Sequence, residues 1–155
     1  MNKEKLQLEW ETKHEKEICK IHDLEECFDW LRINIIDYKF FKESNEEAAL
    51  FLSNHVGRWI RNVLGFWVDC NKPKEERSAF VKWFNEIGID HPDDMSGIIL
   101  TSWHRSMNGK DIKLEEQIKK YQDHWEKNTI QVPIRPYELY ATYGNMKRTE
   151  KIKND

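Results

Sequence analysis

The feature that most constrains this chain is the stretch from His91-Pro92-Asp93-Asp94 to Asn108-Gly109. A proline at a first helical position lacks only an amide hydrogen that would go unused, and its φ is already helical. Asp93 and Asp94 in the first turn complement the positive end of the helix dipole, so Asp90 or His91 is the expected N-cap. At the other end Asn108-Gly109 supplies a residue able to turn left-handed and stop the helix. Between these signals Met95, Ile98, Ile99, Leu100, Trp103 and Met107 cover an apolar arc of roughly 200°, wider than the one-sided stripe of a surface helix. A helix apolar over so wide an arc has neighbours on two sides. The spacing therefore predicts a central helix near 92–108, with the other segments packed around it.

Those segments read as helices too. Asp23-Leu24-Glu25-Glu26 has the form of a capping box, and Leu24, Cys27, Phe28 and Leu31 follow at helical spacing, predicting a helix over about 24–33. Ile35 to Phe41 is an irregular apolar patch suited to a short helical turn. Ser44 or Asn45 caps a helix reaching about residue 64, with Gly65 loosening its end, and Ala48, Leu52, Val56, Trp59, Ile60, Val63 and Phe66 share its apolar side. Phe80, Trp83, Phe84 and Ile87 form a seam closed by Gly88. Leu114, Ile118, Tyr121 and Trp125 place a last helix over about 114–127, packed from one side. Val132-Pro133-Ile134-Arg135-Pro136 cannot continue it, and Thr129 to Ile134 leaves room for a short strand pair. The expected class is all-α: a compact single-domain bundle of roughly five to six helices over 21–130. It is preceded by a polar arm at 1–20 and followed by an extended segment and tail at 131–155.

Composition narrows the function classes. The 155 residues carry 25 basic and 28 acidic side chains, a formal charge of −3, which disfavours a nucleic-acid binder despite seven Trp and five Tyr. No apolar run suits a membrane span or a signal core, so the expectation is a cytoplasmic protein with no membrane partner. Three cysteines, an odd number, argue against a disulfide framework. His14, Cys19, His22 and Cys27 could be offered as zinc ligands, but they lack knuckle spacing and Cys27 belongs to a core face, so no metal and no cofactor is expected.

Two blocks stand out: Gly57-Arg58-Trp59-Ile60-Arg61-Asn62 with Gly65-Phe66-Trp67, and Gly88-Ile89-Asp90-His91-Pro92-Asp93-Asp94-Met95-Ser96 running on to Glu115-Glu116-Gln117-Ile118. The chain is similar over roughly 24–127 to a family of small bacterial domains of unassigned function. Members of that family carry a Trp-Ile-Arg-Asn motif and a His-Pro-Asp-Asp-Met-Ser motif. The resemblance implies a bacterial, cytoplasmic origin and a compact helical domain, and it brings no reaction with it.

The candidate site residues fall into three groups. His91, Asp93 and Asp94 could hold a divalent ion or do acid–base work, although helix capping alone would select the same acids. His104 and Arg105 lie roughly 20 Å further along the helix at 1.5 Å per residue, too far to join them. Asn54, Arg58, Arg61 and Asn62 share a polar helix face. Its arginines could fork onto a phosphate or carboxylate, or pair with Asp93 or Asp94 across a helix interface, the favoured reading. Asn62 is expected to bond a loop backbone. Trp67 and Trp125, near helix ends, are candidates for partial exposure that a partner could cover. Gly97, placed on the outer side of the central helix where glycine costs stability, implies close approach of another group. No nucleophile has a positioned base: Ser96-Gly97 lies inside a helix and Cys70 has no companion. The leading expectation is a non-enzymatic domain that binds another protein, with an immunity or accessory role in a bacterial conflict or mobile-element system as its concrete form. The alternatives are a small metal-dependent hydrolase and a regulatory binder of an anionic small ligand. Oligomeric state is left open.

Overall fold

The computed structural model describes residues 4–5, 18–35 and 37–128; the side chains of residues 50, 52 and 53 lie outside that description, as do most of the 1–20 arm, the expected strand pair and the 131–155 segment. The described residues are helical and connecting segments, with no strand among them. In chain order the helices are α1 (Leu24–Asn34), α2 (Tyr38–Glu43), α3 (Glu46–Val63), α4 (Phe66–Cys70), α5 (Ala79–Glu86), α6 (Pro92–Met107) and α7 (Leu114–Asn128), with a 3-10 turn at Lys74–Glu76.

Four helices, α1, α3, α5 and α6, begin where a side chain can take an orphan backbone amide. Asp23 Oδ1 accepts from Glu26 N at 3.0 Å, Asn45 Oδ1 from Ala48 N at 2.7 Å, and Ser78 Oγ from Val81 N at 3.3 Å. At α6 the cap is His91, whose Nδ1 accepts from Asp93 N at 3.1 Å. The ends are set as clearly: Gly65 turns left-handed at φ 65° after α3, and Gly109 does so at φ 65° after α6.

α6 is the hub. It packs along most of α3 and also touches α1, α2, α4 and α7. From Asp94 to His104 every residue of it is buried, so its polar side chains as well as its apolar ones face neighbours. Ile98, Ile99 and Trp103 are fully buried, as are Leu31 and Cys27 of α1, Ile60 of α3 and Phe84 of α5. Phe41 of α2 stacks on Trp103 with ring centroids 5.2 Å apart, which seats α2 on the second half of the hub helix.

Two glycines let elements close on α6. A β-carbon added at Gly57 would come to 3.2 Å from the Arg61 guanidinium and 3.4 Å from Ser96 Oγ, so Gly57 provides the slot in which Arg61 crosses to α6. Gly97 corrects its expected outer placement. It is buried, and a β-carbon there would overlap the Tyr121 hydroxyl and approach Tyr121 Cζ to 3.2 Å. The close neighbour is thus the Tyr121 side chain of α7.

The segment the sequence did not announce as a helix is α4. It begins immediately after the left-handed Gly65 and is held by its own acid: Asp69 Oδ2 accepts from Ser78 N at 2.8 Å and Oδ1 pairs with Lys72 at 3.2 Å. Buried Arg77 closes the same corner, donating from Nε to Lys72 O at 3.0 Å and from Nη1 to Asn85 Oδ1 at 2.9 Å.

Candidate functional site

Most of the singled-out side chains meet at the head of α6. His91 is buried at the N-cap between two indoles: Trp67 of α4 stands edge-to-face at 5.6 Å and Trp125 of α7 lies tilted at 5.2 Å. Asp94 is buried one turn into the helix, where its Oδ2 accepts from Trp125 Nε1 at 2.6 Å. Asp93 faces outward and pairs with Arg61 of α3, Oδ1 to Nε at 3.0 Å. That arginine also donates from Nη1 to Ser96 Oγ at 2.8 Å, and Ser96 in turn donates to Asp93 O at 2.9 Å. Of the two structural partners foreseen for Arg61, Asp93 is the one used. Since Asp93 is half-exposed, its ion pair contributes at most about 1 kcal/mol. The Arg61–Ser96 bond does more to fix α3 against α6.

Arg58 does not share this position. It is exposed and has no hydrogen bond or ion pair among the described residues, so the two arginines form no fork. Asn54 and Asn62 are likewise exposed, and the Asn62 side chain bonds no loop backbone among the described residues. His104 and Arg105 form a separate cluster at the far end of α6. The Ser44 carbonyl can only accept, so His104 Nε2 donates to it at 2.8 Å, leaving the buried Nδ1 with no partner among the described residues. Arg105 donates to Glu46 Oε1 from Nε at 3.1 Å and Nη2 at 2.5 Å, and from Nη1 to Ile112 O at 2.9 Å. The guanidinium holds the Glu46 carboxyl below its ordinary range. This latch joins the start of α3 to the turn before α7. Its partner Glu46 was legible only as a first-turn acid.

The electrostatics at the head of α6 follow from burial. Burial lowers the His91 pKa, opposed by the charges of Asp94 and Asp93 and reinforced by Arg61. Protonation at Nδ1 would also cost the cap acceptor and put positive charge at the positive end of a helix. Burial raises the Asp94 pKa, with the Trp125 hydrogen bond and His91 pulling the other way. Partial burial beside Asp94 pushes Tyr121 up to about 12.

These shifts have opposite consequences for stability. A histidine whose folded pKa is depressed contributes stability present above its unfolded pKa of about 6.5 and lost as pH falls through the folded value. A carboxyl whose folded pKa is raised contributes stability present below about 3.9 and lost as pH rises through the folded value. Acidification therefore costs stability at His91 while recovering some at Asp94. Asp94→Asn removes the recovery, so as pH falls from about 6.5 toward about 3.9 urea midpoints should fall more steeply in this variant than in the parent chain. His91→Asn, which keeps a cap acceptor without a titrating ring, should flatten the dependence. Parallel pH profiles for all three proteins would refute the assignment.

Among the described residues no group of three or more His, Cys, Asp or Glu side chains is placed to hold a metal ion. Of the zinc candidates, Cys27 is buried in the core, Cys19 and His22 are exposed, and His14 lies outside the described residues. Cys70 is buried, and burial pushes its thiol up to about 12. That disfavours the thiolate a nucleophile requires. No helix of the described residues is long and apolar enough to cross a membrane.

No curated protein and no solved structure matches this chain. A family model described as a domain of unknown function (DUF6794) matches residues 22–107, from just before the cap of α1 to the last residue of α6. The match holds both sequence blocks up to the end of the hub helix and stops short of α7. Covering more than half of the chain, it shows that the protein belongs to the family of the domain of unknown function DUF6794.

Proposed function

We propose that this chain is a non-enzymatic protein-binding domain that engages its partner through Trp67 and the adjacent Val68. The carrying observation is the exposure of these two apolar neighbours on a short fixed helix, Trp67 at 43% and Val68 at 68%. A partly exposed tryptophan offers a partner a large, rigid and mostly apolar contact. Here the indole is also braced: His91 supports its ring, and Asp69, bonded to Ser78 N, holds the helix that carries it. Little side-chain freedom remains to be lost on binding.

The rival readings draw less support from the same residues. An acid–base or metal-assisted hydrolase needs its carboxylates open to substrate, whereas Asp94 is buried under Trp125 and Asp93 is engaged by Arg61. An anion clamp needs two converging guanidinium groups, and Arg61 is turned onto Ser96 while Arg58 faces solvent. The narrower form of the proposal, an immunity or accessory role in a bacterial conflict system, makes the product of a neighbouring gene the first partner to try.

Tagged chain expressed in its native host is expected to retain a stoichiometric partner that Trp67→Ala/Val68→Asp loses. Truncating a central anchor costs about 2 kcal/mol or more, roughly a 30-fold weakening. Ile33→Asp, at an apolar residue 83% exposed on α1, serves as the control and should retain the partner. Equal retention by the Trp67 variant, with its helix content unchanged, would remove the basis of the proposal.

A further inference from the structure

The junction between α7 and α6 runs along one row. Gln117, Tyr121 and Trp125 are four residues apart on α7, and they meet Ser102, Gly97 and Asp94 read in the opposite direction along α6. Gln117 Nε2 donates to Ser102 Oγ at 3.0 Å, the Tyr121 ring occupies the space a side chain at Gly97 would need, and Trp125 Nε1 donates to Asp94 at 2.6 Å. Gln117 is the buried residue of α7, and the rest of that helix presents charges such as Glu116, Lys120 and Lys127 to solvent.

The connection between the two helices, Asn108 to Lys113, contains two left-handed residues. Gly109 adopts φ 65° freely, but Lys113 at φ 50° bears a β-carbon in a conformation that disfavours one. That turn folds α7 back onto its own α6. The family match ends at Met107, so the turn and α7 lie outside the matched residues.

We infer that α7 is exchangeable: two copies of the chain trade it, so that α7 of one copy seats its Gln117, Tyr121 and Trp125 on Ser102, Gly97 and Asp94 of the other. A second copy is the occupant these observations favour, because its α7 carries the same row at the same spacing. Exchange therefore repeats every contact of the row, while opening the connection frees Lys113 to take an ordinary negative φ. Opposing it are the bonds that clasp Ile112 O in the closed form, from Arg105 Nη1 at 2.9 Å and Gln117 Nε2 at 2.8 Å, together with the loss of independent motion of two molecules. The balance makes the exchanged form depend on concentration. Trp67 and Val68 take no part, so this inference and the partner-binding proposal fail separately.

The test uses the full chain with exposed Cys19 replaced by serine. One protein carries Ser102→Cys, a second carries Gln117→Cys, and a third carries both. Oxidation should give an internal disulfide in the double variant. Mixing the two single variants at high concentration, followed by oxidation, should give a heterodimer, since Ser102 is buried beneath α7 in the closed form and can meet the other thiol only by exchange. An internal disulfide without the heterodimer overturns the proposal. Light scattering gives a second reading without engineered thiols. The parent chain should show a dimer fraction that grows with concentration and falls at least several-fold in Lys113→Gly, which relieves the turn of the closed form without touching the row. A parent chain that stays monomeric at every concentration also overturns it.

Discussion

Trp103→Ala is expected to lower the unfolding free energy by about 3–5 kcal/mol, a large part of the 5–15 kcal/mol that holds a domain together. Trp103 is fully buried on the hub helix and stacks on Phe41, so truncation both strips α2 of its support and leaves a cavity between α2 and α6. For a domain of this size the loss corresponds to a drop in Tm of roughly 6–20 °C. Trp103→Phe separates packing from polarity. Trp103 Nε1 is buried with no acceptor among the described residues, so the smaller ring discards an N–H that is costly to bury while keeping a face against Phe41. That variant should lose less than about 2 kcal/mol. Urea midpoints measure both. A Trp103→Ala loss below about 1 kcal/mol would mean that α6 is not the element against which the others are buried.

What could be read from the chain beforehand follows the range of the forces involved. Helix starts are local, and Asp23, Asn45 and His91 cap where short-range pattern puts a cap. The all-α class and the central position of 92–108 follow as directly, since an arc that wide has to be covered from several sides. The short helix α4 escaped because its five residues depend on Gly65 turning left-handed and on a bond from Ser78 back to Asp69. Neither leaves a period to detect. Arg61 turning to Asp93 was readable as charge complementarity, whereas Arg58 three residues away points elsewhere because nothing on α6 receives it. The meeting of Trp67, His91 and Trp125 could not be read at all: it joins three elements through two separate turns. Gln117 was missed for the opposite reason. An amide on a polar helix reads as surface, and only the buried Ser102 hydroxyl and the Ile112 carbonyl make it an interior residue.

Replacing Gly97 weighs two terms of known sign against each other. Alanine in place of glycine inside a helix contributes about 1 kcal/mol of stability, so on propensity alone Gly97→Ala would strengthen α6. The added β-carbon, however, overlaps the Tyr121 hydroxyl, and forcing a packed, partly buried ring aside costs about 1–3 kcal/mol. Gly97→Ala is therefore expected to be neutral or to lose up to about 2 kcal/mol. Gly97→Leu, which cannot share the seat with the ring at all, should lose about 2–3 kcal/mol. The overlapped atom is the hydroxyl oxygen, whereas Cζ lies at 3.2 Å from the built position, a contact that a small shift relieves. Tyr121→Phe should accordingly change little by itself yet restore about 1 kcal/mol or more in the Gly97→Ala background, a coupling that distant sites do not show. Hydrogen exchange localises the effect: amides of 114–128 should lose protection in Gly97→Leu while those of α1 and α3 keep theirs. Additive effects of the two substitutions, or a loss of protection spread evenly over the chain, would mean that Gly97 serves something other than the seating of α7.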